Sequence, residues 1–169
     1  MNHHKQDTTI GGYFKAAKIL FGAFILGVIN FGIVIVVLFI MEILPLVEFA
    51  PELMIYFIAG SIIFFLLMTY LGSLFFNKKI TKVKNSQDFA KKLSAYREGK
   101  LIQAVTLEAA ALLAMVFTIL NTHIIFVVIA GLSLIQMIRV FPKKAEMIEV
   151  LELSYSEQQN LNNPEYDLR

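Results

Sequence analysis

LIQAVTLEAAALLAMVFTIL, residues 101–120, is a run of 20 residues whose one charged side chain is Glu108. A transmembrane helix needs about 20 predominantly apolar residues to cross a hydrocarbon core that is about 30 Å thick. Lipid offers the backbone no hydrogen-bond partner, so a segment that crosses it must be helical. The stretch therefore predicts a transmembrane helix.

Three further apolar runs lie at residues 19–41, 53–76 and 124–141. The whole chain is 57% hydrophobic and 17% charged, whereas soluble domains average roughly 45–50% and about 25%. This composition excludes a soluble globular enzyme, a disordered chain and a coiled coil. We predict an all-α membrane protein in which residues 1–141 form an antiparallel bundle of four transmembrane helices.

The first apolar run is expected to be a retained anchor. It is too long for the core of a cleavable signal peptide, and Glu42 and Pro45 follow it instead of a small-residue cleavage site.

The basic residues are distributed asymmetrically along the chain. All 15 Lys and Arg residues lie before the first run, between the second and third runs, or at the C-terminal end. The two remaining connections have none, and the first of them carries Glu42, Glu48 and Glu52. With four spans, the three basic regions share one side of the membrane. The positive-inside rule then places both termini in the cytoplasm.

The basic connection before the third span has its own periodicity. Phe89, Leu93 and Tyr96 recur at helical spacing, which predicts a short amphipathic helix at about residues 86–98 on the inner leaflet. The lysines of this connection are either an anionic-lipid site or ordinary positive-inside charge. They are Lys78, Lys79, Lys82, Lys84, Lys91 and Lys92.

Residues 142–169 are expected to form a cytoplasmic tail. Pro142 can open a short helix at its first position, and Ile148 and Leu151 give this helix a thin apolar stripe. From Ser154 the sequence turns polar and acidic, which predicts a loose or partner-bound segment.

Glu108 is the strongest candidate for a functional residue. It lies seven residues inside the third run, and an acid within a membrane costs about 2.5–3.5 kcal/mol on insertion scales and is by default a functional candidate. It avoids this cost by binding a proton or by facing the bundle interior. Ala104 and Ala111 share its helical face and would let another helix approach closely.

Other polar residues fall in the same half of the predicted membrane. They form either one site around Glu108 or hydrogen bonds between helices, typically worth about 0.6 kcal/mol each. These residues are Thr69, Tyr70, Gln103, Thr106, Ser133 and Gln136. In the first span, Ala23, Gly27 and Asn30 share one face, and we interpret them as a close-packing seam for helix association.

No enzyme signature is present. The chain has no cysteine and shows no Ser/His/Asp set, HExxH motif or P-loop. We therefore predict no catalytic residue, metal or cofactor. A net charge of +2 argues against nucleic-acid binding, which needs a basic excess.

Two resemblances involve the third span. The segment LIQAVTLEAAAL, residues 101–112, resembles the acid-bearing helix of the rotary ATPase proteolipids, the c-ring subunits. This resemblance implies that Glu108 is an ion- or proton-binding acid within an oligomer. The wider arrangement of Tyr96-Arg97, residues 107–112 and residues 141–144 resembles a set of small, uncharacterised four-span proteins of bacterial inner membranes, which implies that location.

Two functions follow as hypotheses. The first is a non-enzymatic inner-membrane protein that packs into a homo-oligomer or a larger complex, with Glu108 as a protonatable or hydrogen-bonding centre. The alternative is a small proton- or cation-coupled transporter, or a proteolipid-like ion carrier, that uses Glu108.

Overall fold

The computed structural model describes residues 9–43, 50–121 and 123–168. These ranges are predominantly helical and contain no β-strand, so the expectation of an all-α protein is confirmed. Lys5, Glu48 and Arg169 of the charge pattern lie outside the described residues. The helices are α1 Ile10–Ile40, α2 Pro51–Val83, α3 Phe89–Asn121, α4 Ile124–Val140, α5 Lys144–Val150 and α6 Tyr155–Asn162.

Three helices, α1, α2 and α3, are long and apolar enough to cross a membrane. The count rises to four if α4, with 17 residues, is joined to α5, from which a bend of 74° separates it. Large apolar side chains point outward from these helices, including Ile19 and Ile63, which are each 64% exposed. A protein in water rarely exposes so much apolar surface, so the fold indicates an integral membrane protein.

The first three helices extend beyond their apolar runs. The structure begins α1 nine residues before the predicted span, where Thr9 accepts a hydrogen bond from the Gly12 amide at 3.2 Å. It begins α3 at Phe89, where the Asp88 carboxylate accepts from the Lys91 amide at 3.0 Å. Such side-chain caps satisfy the free amides of a helix start. Apolarity alone therefore underestimated the helix lengths.

Aromatic pairs show that α3 runs opposite to both α2 and α4. Along α2 and α3, the ring centroids of Phe76 and Tyr96 are 5.8 Å apart, and those of Phe57 and Phe117 are 5.3 Å apart. Between α3 and α4, the rings of Phe117 and Phe126 lie 5.5 Å apart. The end of α2 therefore lies beside the start of α3.

Helix α1 runs in the same direction as α3. Near their starts, the Tyr13 hydroxyl donates to the Leu93 carbonyl at 2.9 Å. Farther along, a Cβ at Gly32 would lie 3.4 Å from Cε of Met115. The starts of α1 and α3 and the ends of α2 and α4 thus lie together at what we call the basic end.

Two glycines bring α2 and α3 into close contact. A Cβ at Gly72 would lie only 2.5 Å from Oγ1 of Thr106, and a Cβ at Gly99 would lie 2.8 Å from the Phe76 ring. Real Cβ contacts this short do not occur, so these positions need glycine to hold the helices at this separation.

The largest apolar core lies at the basic end, where it combines α1, α2 and α3 with the segment after α4. Burial of these side chains joins parts of the chain that are far apart in sequence. Its buried members are Ile10, Tyr13, Phe76, Ile80, Val83, Phe89, Leu93, Tyr96, Met147, Leu151, Leu153 and Leu161.

The C-terminal segment differs from the expected short helix followed by a loose chain. It forms α5 and then α6, whose start has a capping box between Ser154 and Glu157. Leu151 and Leu161 are fully buried, and Leu153 is nearly so. The polar residues of α6 lie outside this apolar contact, which explains why composition alone suggested disorder.

The predicted interfacial helix is the first part of α3 rather than a separate element. Its stripe, Phe89, Leu93 and Tyr96, is buried in the core of the basic end. The periodicity correctly indicated a helix with one apolar face, but protein covers that face instead of a leaflet. Helices α1 and α2 and the C-terminal segment together supply the cover.

Candidate functional site

Glu108 lies on α3 at the edge of the α1–α3 contact. Ala104 and Ala111, which share its face, are completely buried, while Glu108 itself is partly exposed. Its neighbour on α1 is Gly27, where a Cβ would lie 3.8 Å from Oε1 of Glu108. The small alanines and the glycine let the carboxyl group reach the surface of α1.

The Glu108 carboxyl group makes no hydrogen bond or ion pair with any residue that the structure describes. The hydroxyl groups expected around it bond within their own helices instead. Thr69, Thr106 and Ser133 donate at 2.9, 3.0 and 3.0 Å to the carbonyls of Phe65, Gln103 and Ile129, respectively. They are thus satisfied locally, as serine and threonine in helices often are.

The other three predicted polar residues also lie away from a common site. Tyr70 is 63% exposed on the outside of α2, and Gln136 is partly exposed on α4. Gln103 faces α2, where a Cβ at Gly72 would lie 3.6 Å from its Cγ. Its Oε1 is the one buried side-chain polar atom without a hydrogen bond in the described part of the chain. The structure does not assemble these residues around Glu108.

No described part of the chain covers the proposed seam of α1. Ala23, Gly27 and Asn30 are exposed on the helix face opposite the buried Val28. Because Gly27 borders Glu108, the seam and the carboxyl group form one outward surface. We call this surface the α1 face.

An apolar groove lies on the other side of α1. It has a volume of about 590 Å³ and separates the far halves of α1 and α4, with α3 as its floor. Its walls include Gly32, Met115 and Gly131, and the hydroxyl of its Thr118 donates to the Ala114 carbonyl at 3.0 Å. The groove therefore offers apolar contacts only, because its one hydroxyl group already donates a hydrogen bond within α3.

Two nearly buried lysines at the basic end hold the C-terminal segment, and the sequence analysis missed this role. Lys92 donates to Oε1 of Glu157 at 2.9 Å. Lys100 pairs with Glu146, whose other carboxylate oxygen accepts from the Tyr96 hydroxyl at 3.1 Å. The sequence did contain a signal for it: Lys92 and Lys100 lie beside the apolar stripe of α3, where a lysine is buried if the stripe is covered.

Opposing effects act on the pKa of Glu157. Burial raises the pKa, whereas hydrogen bonds from Lys92 and Ser154 lower it, and the balance leaves the pKa below its ordinary value. The ionised form is therefore favoured in the folded protein, as expected for a carboxylate that accepts several hydrogen bonds.

Backbone hydrogen bonds tie the end of the chain to α1. The amides of Ile10 and Gly11 donate to the carbonyls of Tyr166 and Pro164 at 3.1 and 2.9 Å. A Cβ at Gly11 would lie 3.1 Å from the Pro164 oxygen, so glycine permits this approach. The C-terminal segment therefore links the start of α1 to the start of α3.

The six lysines predicted to meet anionic lipid divide into two groups. Lys92 is buried in its pair with Glu157, and Lys79 and Lys84 pair with Glu98 and Glu152 at 2.5 and 2.7 Å. The first of these, Lys92, has no access to lipid, which corrects the prediction for that residue. Among the described residues, the remaining three have no ion pair; they are Lys78, Lys82 and Lys91.

Within residues 9–43, 50–121 and 123–168, no three His, Cys, Asp or Glu side chains come together in a way that could hold a metal. Comparison with protein-family models, curated proteins and solved structures gave no match. The two resemblances noted from the sequence therefore stay predictions.

Proposed function

We propose that this protein is a non-enzymatic subunit of a membrane homo-oligomer, in which a second copy of the chain covers the α1 face. Glu108 serves this assembly as a hydrogen-bonding and protonatable centre. The proposal includes four spans, with α4 as the fourth, and both termini in the cytoplasm of a bacterial inner membrane. The positive-inside distribution of lysine and arginine supports this orientation.

The observation that carries the proposal is the presence of two unpaired polar groups on the α1 face. Asn30 is exposed in the middle of an apolar helix, and neither its amide nor the Glu108 carboxyl group is bonded to a described residue. Polar groups at this depth are costly against lipid and normally face protein or water. Small residues beside them, Ala23 and Gly27, permit close approach of another helix.

A second copy suits this face better than an unrelated partner because the face is self-complementary. An amide both donates and accepts hydrogen bonds, and a protonated carboxyl group does the same. In a two-fold dimer, the same patch of both chains forms the interface, so Asn30 of each copy can meet Glu108 or Asn30 of the other. Asn30 and Glu108 are thus sufficient to satisfy each other's hydrogen bonds across the interface.

Disulfide cross-linking in membranes tests the proposal directly, because the natural chain has no cysteine. Ala23→Cys on the α1 face should form a covalent dimer under mild oxidation. Leu74→Cys is the matched control, since it is exposed on α2 at a similar distance from the basic end. Equal cross-linking of the two variants, or no cross-linking of Ala23→Cys, would contradict the proposal.

A proton- or cation-coupled transporter is the second candidate, and the unpaired Glu108 is the observation that favours it. The local bonding of Thr69, Thr106 and Ser133 gives this candidate less support, because a pathway needs groups that exchange partners. Flux of protons or monovalent cations in vesicles that contain the purified chain distinguishes the two functions. The transporter requires flux that Glu108→Gln abolishes.

A further inference from the structure

The corner between α4 and α5 meets the first half of α1 through aromatic contacts. The chain turns by 74° between α4 and α5, and at this turn the ring centroids of Phe141 and Phe21 are 5.8 Å apart. One residue into the next helix, the Lys144 ammonium group lies 5.3 Å from the centre of the Phe14 ring. Two elements far apart in sequence therefore meet at one level of the bundle.

Four cationic residues belong to this corner. Lys18 lies on α1 between Phe14 and Phe21, within one turn of each on the same side of the helix. The others, Arg139, Lys143 and Lys144, occupy the last turn of α4 and the turn into α5. All four are exposed, and none has a carboxylate partner in the described part of the chain.

Some lysines at the same end of the protein are neutralised, whereas Lys15, Lys78, Lys82 and Lys91 have no ion pair among the described residues, like those of the corner. Lys79, Lys84, Lys92 and Lys100 each pair with a glutamate of α3 or of the C-terminal segment. Even Glu146, which is two residues after Lys144, is used by Lys100 and Tyr96. The corner therefore keeps positive charge that mutual repulsion disfavours unless an anion is present.

The corner lies where the apolar surface ends. Ile19, which follows Lys18, is 64% exposed, and Ile138, which precedes Arg139, is 54% exposed. Exposed apolar residues directly beside exposed cations mark the boundary between hydrocarbon and headgroups. Lipid phosphates are the anions that such a boundary holds at this level.

We propose that this corner binds the phosphate of an anionic phospholipid. Basic pockets between transmembrane helices are suited to such headgroups because donors from separate elements surround the phosphate oxygens. Lys18 lies on the α1 side of the corner, and Lys143 and Lys144 lie on its α4–α5 side, where Lys144 contacts the Phe14 ring. The site is on the opposite side of α1 from Glu108 and does not depend on the proposed oligomer.

A single tryptophan can report on lipid at this corner, because the natural chain contains none. Ile138→Trp, in full-length protein reconstituted in vesicles, places this probe next to Arg139. Quenching by brominated phosphatidylglycerol is compared with quenching by brominated phosphatidylcholine. We expect stronger quenching by phosphatidylglycerol. The preference is the ratio of the two apparent lipid affinities, and it should fall by up to about fivefold for each removed lysine that contacts the headgroup.

The decisive comparison uses two triple variants of the probe protein. Lys18→Gln, Lys143→Gln and Lys144→Gln together should remove most of the preference. The charge-matched control removes the three unpaired lysines of the α2–α3 region (Lys78→Gln, Lys82→Gln and Lys91→Gln) and should retain it. Unchanged helix content by circular dichroism shows that each variant is folded.

Three results would overturn the proposal. Equal quenching of the unsubstituted probe protein by the two lipids would show that there is no selective site. An equal loss in both triple variants would show general attraction to the charged surface. Abolition of the preference by inorganic phosphate at constant ionic strength would identify the free anion, rather than the lipid, as the ligand.

Discussion

Glu108 places a carboxyl group on α3 next to the bare backbone of Gly27 on α1. Its closest surroundings are small, so no side chain within the described residues neutralises it. A second chain on the α1 face would provide hydrogen-bond partners without rearranging the helices. The role of this side chain depends on whether Glu108 only forms hydrogen bonds or also releases a proton.

Substitutions at Glu108 separate these two requirements. In the Ala23→Cys background, Glu108→Gln should keep the cross-linked fraction within about twofold, because an amide still donates and accepts. Glu108→Leu should lower the association constant by about threefold, which corresponds to about 0.6 kcal/mol for one hydrogen bond between helices. A loss with Gln as large as that with Leu would show that hydrogen bonding alone is insufficient.

The separation between neighbouring helices depends on the size of the side chains at their contacts. Gly72 and Gly99 allow α2 and α3 to approach closely, whereas α1 and α4 separate far enough to leave the apolar groove. The glycine contacts of α2 and α3 lie in the half of the bundle nearest the basic end. This half is therefore the tightly packed part of the described structure.

Gly72→Ala tests this close contact. The new methyl group would lie 2.5 Å from Oγ1 of Thr106, so we expect overpacking to lower the free energy of unfolding by about 1–3 kcal/mol. Gly60→Ala is the control, since its Cβ would meet nothing within 4 Å. Unfolding in mixed micelles measures the stability of both variants.

Adding Thr106→Ala to Gly72→Ala should restore part of the lost stability, because it removes the hydroxyl that the new methyl group meets. Equal stability of Gly72→Ala and Gly60→Ala would contradict the packing argument.

At the scale of the whole molecule, the C-terminal segment acts as a clamp on the basic end. Its backbone contacts α1 through Pro164 and Tyr166, and its Glu146 and Glu157 contact α3. This connection fixes the starts of α1 and α3 relative to each other. The far end, which contains the apolar groove, has no such connection among the described residues.

Removing one member of the buried pair should release part of this clamp. Glu157→Gln leaves Lys92 buried without an opposite charge. Because Glu157 is only partly buried, we expect a cost between that of an exposed pair and the roughly 3–5 kcal/mol of a fully buried one. Glu152→Gln is the control, because its pair with Lys84 is exposed and is worth at most about 1 kcal/mol. Hydrogen exchange of amides 155–168 should accelerate in the first variant only. Equal protection in both variants would show that the pair does not hold the segment.

The clamp should also weaken in acid. The pKa of Glu157 is lower in the folded protein than its ordinary value, which is about 4.3 in unfolded chains. Its stabilising effect is therefore complete above that value and is lost as the pH falls through it toward the folded pKa. Exchange of amides 155–168, corrected for intrinsic rates, should rise over this interval. In Glu157→Gln this rise should be smaller, and an identical profile would exclude Glu157 as its source.

The apolar runs were sufficient to predict the cores of the four long helices, but not their full lengths or α6. Residues 101–120 and 19–41 must be helical in lipid, whatever their neighbours are, because the backbone has to satisfy itself. The stripe of Phe89, Leu93 and Tyr96 likewise predicted a helix with one buried face. What covers that face was not predictable, because Leu151 and Leu161 lie more than 50 residues away in the chain.

The sequence by itself determined that this protein is helical, apolar enough for a membrane, and basic at one end, because these properties depend on local composition and spacing. Only the tertiary structure decided which groups meet. Depth along a helix can be counted from residue numbers, but the direction of a side chain around the axis cannot, so Tyr70 points outward although it is as deep as the neighbouring Thr69. The pairs of Lys92 with Glu157 and of Lys100 with Glu146 likewise depend on how distant segments pack, which local sequence does not encode.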